Sequence, residues 1–397
     1  MSYYAPFWPL RLGGRLAKTY YFTGGKTPPE TFPAKGLAEA AQRVLKRLDG
    51  ALAFYPRQHE YSGFSDKGYV GLREVASARF QHREGVALPV ENIAITSGSM
   101  QALELIGRAF IRPGDVVVTE ELTYYGTLKL FRYLGARLVG IPMDERDGMD
   151  ISALEERLRL LERLGLKPKF IYTLPNHHNP TGAILSARRR EELVELAREH
   201  GVPIVEDDCY GDLDFEPGVV PRSLYTLDGG ENVVFVASFS KIVGPGIRLG
   251  YLCAPDRFLQ DILAHRWDLG TSALAAAILA EYLREHLWEQ VERQVKAIKA
   301  RYDVLTKAMS EYLGDVASWT RPRGGLFLWV KLPDEIDMAK LAEETERRNV
   351  RFDEGRKFHY ADRVLKALRL SYAHIPLEDI PEGIRLLAEA VDAAMRS

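Results

Sequence analysis

The chain has 397 residues, of which 46% are hydrophobic and 27% charged, and its formal net charge is −2. This length exceeds the size at which single cores stop growing, so we expect two domains. The small net charge provides no bulk attraction to nucleic acid or to an anionic membrane, and no apolar run approaches the roughly 20 residues of a membrane-spanning helix.

From about residue 90 onward, short β-rich runs alternate with longer helical patterns. In chain order they read NIAITS and MQALELIGRAF, DVVVTEE and YGTLKLFRYLG, RLVGIPM and ISALEERLRLLERLG, KFIYTLP and SARRREELVELAREHG, then VPIVEDD, NVVFVAS and RLGYLCA. Continuous apolar strands indicate a sheet covered on both faces, and helices between successive strands favour parallel order. Asp150 and Ser186 stand where helix N-caps belong.

After about residue 275 the pattern changes to long charged helices, followed by the strand candidates GGLFLWVKL and ALRLSYAHI. The predicted fold class is therefore α/β, with a mainly parallel sheet in a large domain and a smaller α+β domain. We expect the large domain at residues 46–280 and the small domain at 281–397, with an N-terminal segment, 1–45, packing against the small domain.

Polar residues follow four of the strand candidates. Ligands of open α/β sheets bind outside the carboxyl ends of the strands, and these ends carry Ser97–Met100, Asn176–Gly182, Asp207–Tyr210 and Ser238–Lys241, with Arg248 just beyond. Each feature alone is most often a cap, a turn or a surface side chain. Together, at one end of one predicted sheet, they indicate a ligand site.

The chemistry of these residues points to one cofactor. A glycine at a helix N-terminus with Ser238 and Arg248 suits a phosphate, and the amine of Lys241 can form a Schiff base with an aldehyde. A buried carboxylate would keep a pyridine nitrogen protonated, and Asn179 and Tyr210 could donate to a phenolate oxygen. Phosphate, aldehyde, pyridine and phenolate describe pyridoxal 5'-phosphate.

The same motifs resemble a known family. FTGGKTPPETFP, ITSGSMQAL, EELTYYG, NHHNPTG, EDDCY, SFSKIVGPGIRLGY, RPRGGLFLWVKLP and LRLSYA occur in this order along nearly the whole chain. Their order and spacing resemble the class I/II aminotransferases of the fold-type I pyridoxal phosphate enzymes, and within them the α-aminoadipate and kynurenine aminotransferase branch. The resemblance implies transfer of an amino group between an α-amino acid and a 2-oxo acid by a ping-pong mechanism.

The resemblance also implies a role for individual residues. Lys241 would form the Schiff base and move the proton at Cα, and Asp207 rather than Asp208 would pair with the pyridine nitrogen. Arg369 would bind the substrate carboxylate, beside Gly25 and Asn179. The remaining cofactor-binding residues would be Tyr210 and Asn179 at the phenolate, Tyr124 on the ring, and Gly98, Ser99, Met100, Ser238 and Arg248 around the phosphate, with Ser240 also at the cofactor.

Tyr61 resembles the tyrosine that reaches the phosphate of the neighbouring subunit, which implies a homodimer with shared active sites. The sequence departs from the family at several places: the segment Tyr61–Gly71 is longer, Leu122 replaces a proline, and Glu354-Gly355 in FDEGRKF replaces a Pro-Gly turn. Lys26 follows the glycines of the substrate pocket. The preferred amino acid therefore stays open.

Two alternatives compete with transamination. A lyase, decarboxylase or racemase would use the same fold and cofactor, but an arginine that fixes the α-carboxylate favours cleavage of the Cα–H bond. A ligand-sensing regulator would carry a DNA-binding module ahead of the fold, and we expect none here because the family-like motifs begin within about twenty residues of Met1. The adjacent His177 and His178 suit loop packing better than metal binding, so we expect no metal. Cys209 and Cys253 lack metal-ligand spacing, and no signal peptide is visible, so we expect a cytoplasmic protein.

Overall fold

The computed structural model describes residues 18–55 and 63–396, so Tyr61 lies outside the described residues. The strands are β1 (Tyr20–Tyr21), β2 (Ile93–Thr96), β3 (Val116–Glu120), β4 (Arg137–Ile141), β5 (Met143–Asp144), β6 (Gly148–Met149), β7 (Ile171–Thr173), β8 (Ile204–Asp208), β9 (Val233–Ser238), β10 (Gly250–Cys253), β11 (Ser318–Trp319), β12 (Phe327–Lys331), β13 (Val350–Arg351), β14 (Asp353–Glu354) and β15 (Ala367–Ser371). The helices are α1 (Ala34–Leu48), α2 (Val70–Glu84), α3 (Ser99–Phe110), α4 (Tyr125–Tyr133), α5 (Ile151–Arg163), α6 (Ala187–Glu199), α7 (Leu224–Asp228), α8 (Asp256–Ala264), α9 (Ala273–Tyr312), α10 (Met338–Arg347) and α11 (Ile380–Met395).

A seven-stranded sheet in the order β2-β10-β9-β8-β7-β3-β4 forms the centre of the fold. Strands β2, β3, β7, β8, β9 and β10 are buried along their whole length, as continuous apolar runs predict. The pairs β3·β4, β3·β7, β7·β8 and β8·β9 are parallel. Strand β10 is antiparallel to both neighbours, because the connection over residues 239–249 contains no crossover α-helix that would return the chain in parallel.

A second sheet in the order β11-β12-β15-β14 is antiparallel and lies in the C-terminal part of the chain. The N-terminal segment contacts this part, because β1 pairs with β13 and Phe22 O accepts from Ser371 N at 2.8 Å. Helix α9 runs for 40 residues without interruption across the expected boundary at residue 280. The domain boundaries themselves stay a prediction.

The helix N-caps expected from the sequence have different outcomes. Asp150 caps α5, since its carboxylate accepts from Ala153 N at 3.1 Å. Ser186 occupies the N-cap position of α6, but its side chain makes no capping hydrogen bond. Among the described residues, none of the helices has the length and hydropathy needed to span a bilayer.

Candidate active site

The polar strand ends meet in one cavity of about 210 Å³ at the carboxyl edge of the parallel strands. This is the edge at which open α/β sheets bind ligands. The predicted site residues that line the cavity are Gly25, Ser99, Met100, Tyr124, Asn179, Asp207, Tyr210, Ser238, Ser240, Lys241, Arg248 and Arg369. Gly98 packs against Arg248, which lines the cavity. Tyr61 lies outside the described residues, so its predicted role stays a prediction.

Lys241 lies in the turn after β9, with its amine inside the cavity. Nζ donates to the carbonyl oxygen of Gly25 at 2.6 Å. Burial lowers the pKa of this amine, and the nearby Arg369 and Arg248 add to the effect. A glycine suits position 25, because a Cβ there would lie 3.1 Å from Phe327 Cζ and 3.5 Å from Lys241 Nζ.

The two carboxylates at the end of β8, Asp207 and Asp208, have different hydrogen-bond partners. Asp207 lines the cavity, where Tyr172 Oη donates to its Oδ2 at 2.8 Å and Cys209 Sγ donates to its Oδ1 at 3.0 Å. Burial raises the pKa of Asp207 to about 6. Asp208 instead accepts from Asn176 Nδ2 at 2.7 Å and pairs with Arg83. The structure therefore places Asp207, and not Asp208, in the cavity.

Backbone N–H groups and an arginine meet where β2 passes into α3. Gly98 has a φ of +82°, and a Cβ there would lie 2.7 Å from Arg248 Nη2, so both conformation and space require glycine. Arg248 donates from Nη2 to Ser97 O at 2.9 Å and has a φ of 54°, which is rare for a side chain of this size. The first N–H groups of a helix lack partners within it, so this corner can bind an anion.

Arg369 lies fully buried on β15 and lines the same cavity. Its Nη1 donates to Asn179 Oδ1 at 2.7 Å, and its Nη2 donates to Asp353 Oδ2 at 2.6 Å and to Gly24 O at 2.9 Å. The contact from Arg369 orients the Asn179 amide, so that its NH₂ group faces away from the arginine. Asn179 can then act as a donor to another group.

The aromatic residues close the cavity. Tyr210 contacts Phe327 edge to face, with ring centroids 5.6 Å apart, and Lys241 Nζ lies 5.8 Å from the Tyr210 centroid. Burial raises the pKa of Tyr124 to about 12 and that of Tyr210 well above its ordinary value, so both phenols remain protonated donors at neutral pH.

The site contains residues that the sequence alone does not single out. Cys209, Tyr172 and Phe327 stand inside motifs that the sequence reveals, but their neighbours carry the predicted roles. Asp353 stands in FDEGRKF, where only Glu354-Gly355 departs visibly from the family. Its partner Arg369 is 16 residues away in the chain, and no local pattern indicates such a contact.

The two adjacent histidines make separate structural contacts. His177 Nε2 lies 2.7 Å from Asp214 Oδ1, and His178 Nδ1 lies 2.9 Å from Thr181 Oγ1. Burial lowers the pKa of His178 to about 3, so this ring is neutral at physiological pH. Within residues 18–55 and 63–396, no group of three or more His, Cys, Asp or Glu side chains is placed to hold a metal ion.

Comparison with known proteins decides the family. The family model for aminotransferase class I and II matches residues 33–387. The chain belongs to the class I and II aminotransferase family. It is a pyridoxal phosphate-dependent aminotransferase, which confirms the fold class, cofactor and activity expected from the sequence.

Individual relatives match this chain over most of their length. Aromatic-amino-acid aminotransferase 1 of Thermococcus litoralis is 34% identical over 376 residues, which cover 94% of this chain and 88% of the relative. Among solved structures, the multiple substrate aminotransferase of Thermococcus profundus superposes with a TM-score of 0.88 at 31% identity, covering 96% of this chain and 93% of the other. LysN, the α-aminoadipate aminotransferase of Thermus thermophilus, was solved with N-(5'-phosphopyridoxyl)-L-leucine and has a TM-score of 0.85 at 32% identity, covering 95% and 93%. These neighbours confirm the resemblance to the α-aminoadipate branch.

Proposed function

We propose that this aminotransferase carries out both half-reactions in the cavity that contains Lys241, with an α-amino acid as donor and a 2-oxo acid as acceptor. The observation that carries the proposal is the placement of one amine, Lys241 Nζ, in the same cavity as the Asp207 carboxylate, the Tyr210 phenol and the Arg369 guanidinium. An amine with a lowered pKa among these groups can act as a nucleophile and as a base.

The residues of the cavity fit pyridoxal phosphate by their chemistry. The backbone N–H groups after Gly98 and the guanidinium of Arg248 form an anion-binding corner, called the anion corner here. The Asp207 carboxylate can accept a hydrogen bond from a protonated ring nitrogen. The residues that would hold the cofactor are Gly98, Ser99, Met100, Ser238 and Arg248 at the phosphate, Asn179 and Tyr210 at the phenolate oxygen, Tyr124 on the ring and Asp207 at the nitrogen, with Ser240 beside them. When bound, the group supplies an aldehyde that takes up an amine and a ring that withdraws electrons from the bonds at Cα.

Lys241 and Arg369 then act on the substrate. Burial and two neighbouring arginines lower the pKa of Lys241, so more of its amine is neutral near pH 7 and can take a proton from Cα and return it. Arg369 binds the α-carboxylate with its forked donors and so fixes the orientation of Cα. Gly25 leaves room beside Lys241 for the substrate.

Replacement of Lys241 tests this assignment. We expect Lys241→Ala to abolish multiple-turnover transamination, because the amine that takes the proton from Cα is then missing. Borohydride reduction of the wild-type holoenzyme should attach the cofactor to the peptide that contains Lys241, as read by mass spectrometry. Lys169→Ala removes a surface lysine outside the cavity and should change neither result. Attachment at another lysine, or full activity in Lys241→Ala, would show that the assignment is wrong.

We further propose that the enzyme is a cytoplasmic homodimer with shared active sites. Arg248 is exposed although it borders the anion corner, and Trp267 on a nearby loop is 86% exposed. Asp268, next to this tryptophan, pairs with Gln101 at the start of α3. A second subunit that covers this side would bury the tryptophan. Tyr61 of the partner subunit could then reach the phosphate. Cys209 and Cys253 are free, buried thiols, the form that a reducing compartment maintains.

A further inference from the structure

Two aromatic rings pack against the guanidinium of Arg369. Its Cζ lies 4.2 Å from the centroid of the Phe327 ring and 4.7 Å from that of the Phe358 ring. Arg369 is only 1% exposed. Because the N–H groups of a guanidinium point outward in its plane, a carboxylate binds it along an edge that carries these groups.

Most of these edge donors already have acceptors. A guanidinium has five N–H groups, and in Arg369 Nη1 uses one on Asn179 Oδ1 while Nη2 uses both of its own, on Gly24 O and Asp353 Oδ2. A carboxylate binds two N–H groups at once either at the Nη1/Nη2 edge or at the Nε/Nη2 edge. Both edges include Nη2, so a substrate carboxylate that binds in this way must displace one of the two present acceptors.

Asp353 is the side-chain acceptor of the two and can be displaced without moving the backbone, although its Oδ2 also accepts from Gly24 N at 3.2 Å. Its Oδ1 also accepts from Lys357 Nζ at 3.1 Å, and this lysine is half-exposed, so the carboxylate keeps a cation after it releases Arg369. The other acceptor, Gly24 O, is a backbone group whose movement would shift the chain beside Gly25 and Lys241. Exchange of one carboxylate for another also leaves the charge balance of Arg369 unchanged.

We propose that Asp353 competes with the α-carboxylate of the substrate for Arg369 and thereby sets the KM of this enzyme. This inference rests on the proposed function, in which Arg369 binds that carboxylate. The side chain acts on binding rather than on the proton transfer at Lys241, so its influence falls on KM and leaves kcat nearly unchanged. Lys357 acts in the opposite direction, because it draws Asp353 away from Arg369.

Asp353→Asn removes the competing charge while it keeps the size of the side chain. We expect KM for the best amino acid of a standard panel, with 2-oxoglutarate as acceptor, to fall about tenfold, the change that 1.4 kcal/mol of binding free energy produces. The dissociation constant of 4-methylpentanoate, a carboxylate without an amino group, should fall in parallel when titrated into the holoenzyme by calorimetry. Asp362→Asn removes an exposed carboxylate paired with Arg356 in the same segment and should leave both constants unchanged.

Lys357→Ala supplies a second variant that does not depend on how Asp353→Asn folds. With its alternative cation removed, Asp353 should hold Arg369 more tightly, so KM and the dissociation constant of 4-methylpentanoate should both rise. A KM that rises in Asp353→Asn would identify Asp353 as a positioning residue for Arg369 and overturn the competition. Unchanged constants in both variants would also overturn it. If the proposed function itself were wrong, the result would be different: the wild type would fail to transaminate any amino acid of the panel.

Discussion

Asp207 and Asp208 are neighbours in the chain and yet experience opposite electrostatic surroundings. Burial disfavours the charge on both, and it raises the pKa of Asp207 to about 6. For Asp208 the Arg83 guanidinium and the Asn176 amide outweigh burial, and the pKa is lowered. Asp208 is therefore a fixed anion within a buried ion-pair network, whereas the charge of Asp207 responds to what enters the cavity. This difference suits Asp207 to a protonated ring nitrogen.

Glu120 at the end of β3 carries a pH-dependent cost. Its Oε1 accepts from Thr173 Oγ1 at 2.5 Å and from Leu174 N at 2.9 Å, and burial raises its pKa from 4.5 to about 7. In the unfolded chain this carboxyl ionises first, so rising pH favours unfolding between about pH 4.5 and 7 and has no further effect above that range. Glu120→Gln keeps the acceptor oxygen and cannot ionise.

We therefore expect Glu120→Gln to lose less stability than the wild type between pH 5 and pH 8. At 1.4 kcal/mol per pKa unit, the difference in unfolding free energy should be about 1–3 kcal/mol. The measurement is thermal unfolding of the holoenzyme across this range, with Glu104→Gln, at an exposed surface pair, as control. A wild type and variant with parallel pH profiles would disprove a raised pKa at Glu120.

Residue positions in the cavity could be predicted where a strand end brings a polar side chain to the edge of the sheet. Lys241, Asp207 and Asn179 closely follow or end buried strands, so the sheet alone brings them together. Asp353 could not be predicted, because its contact with Arg369 depends on the pairing of β14 with β15. An ion pair between distant residues leaves no periodic signal in the sequence.

At the scale of elements, the alternating strands and helices were predictable because long apolar runs are separated by strongly amphipathic segments. The position of the FDEGRKF segment was not predictable. Thr123 N donates to Phe358 O at 2.9 Å and Tyr360 N donates to Glu121 O at 2.8 Å, which draws the segment against the loop before α4. This non-local pairing places Phe358 on Arg369, so the FDEGRKF segment borders the site proposed for the substrate carboxylate.

At the scale of the whole molecule, the open side of the anion corner is where the proposed second subunit would lie. Trp267→Lys places a charge at an aromatic side chain that is 86% exposed in the single chain. If a partner buries it, the variant should shift toward monomer in light scattering and bind pyridoxal phosphate at least about tenfold more weakly, as interface tryptophans often carry much of the binding energy.

Tyr133→Lys provides the matched control, since this aromatic residue is 84% exposed at the far end of α4. It should leave both mass and cofactor affinity unchanged. A wild-type monomer with full cofactor occupancy would contradict the shared-site proposal. A dimer that Trp267→Lys does not weaken would place the interface elsewhere.

The central claim is that Lys241 and the groups around it run two separate half-reactions on one bound cofactor. The most direct measurement follows the visible absorption of the wild-type holoenzyme during addition of single amino acids without an acceptor, and then of 2-oxoglutarate. The account predicts that an accepted amino acid removes the band of the lysine-bound cofactor in one stoichiometric turnover and that the oxo acid restores it. Continued product formation without an oxo acid, or a band that no amino acid alters, would contradict it.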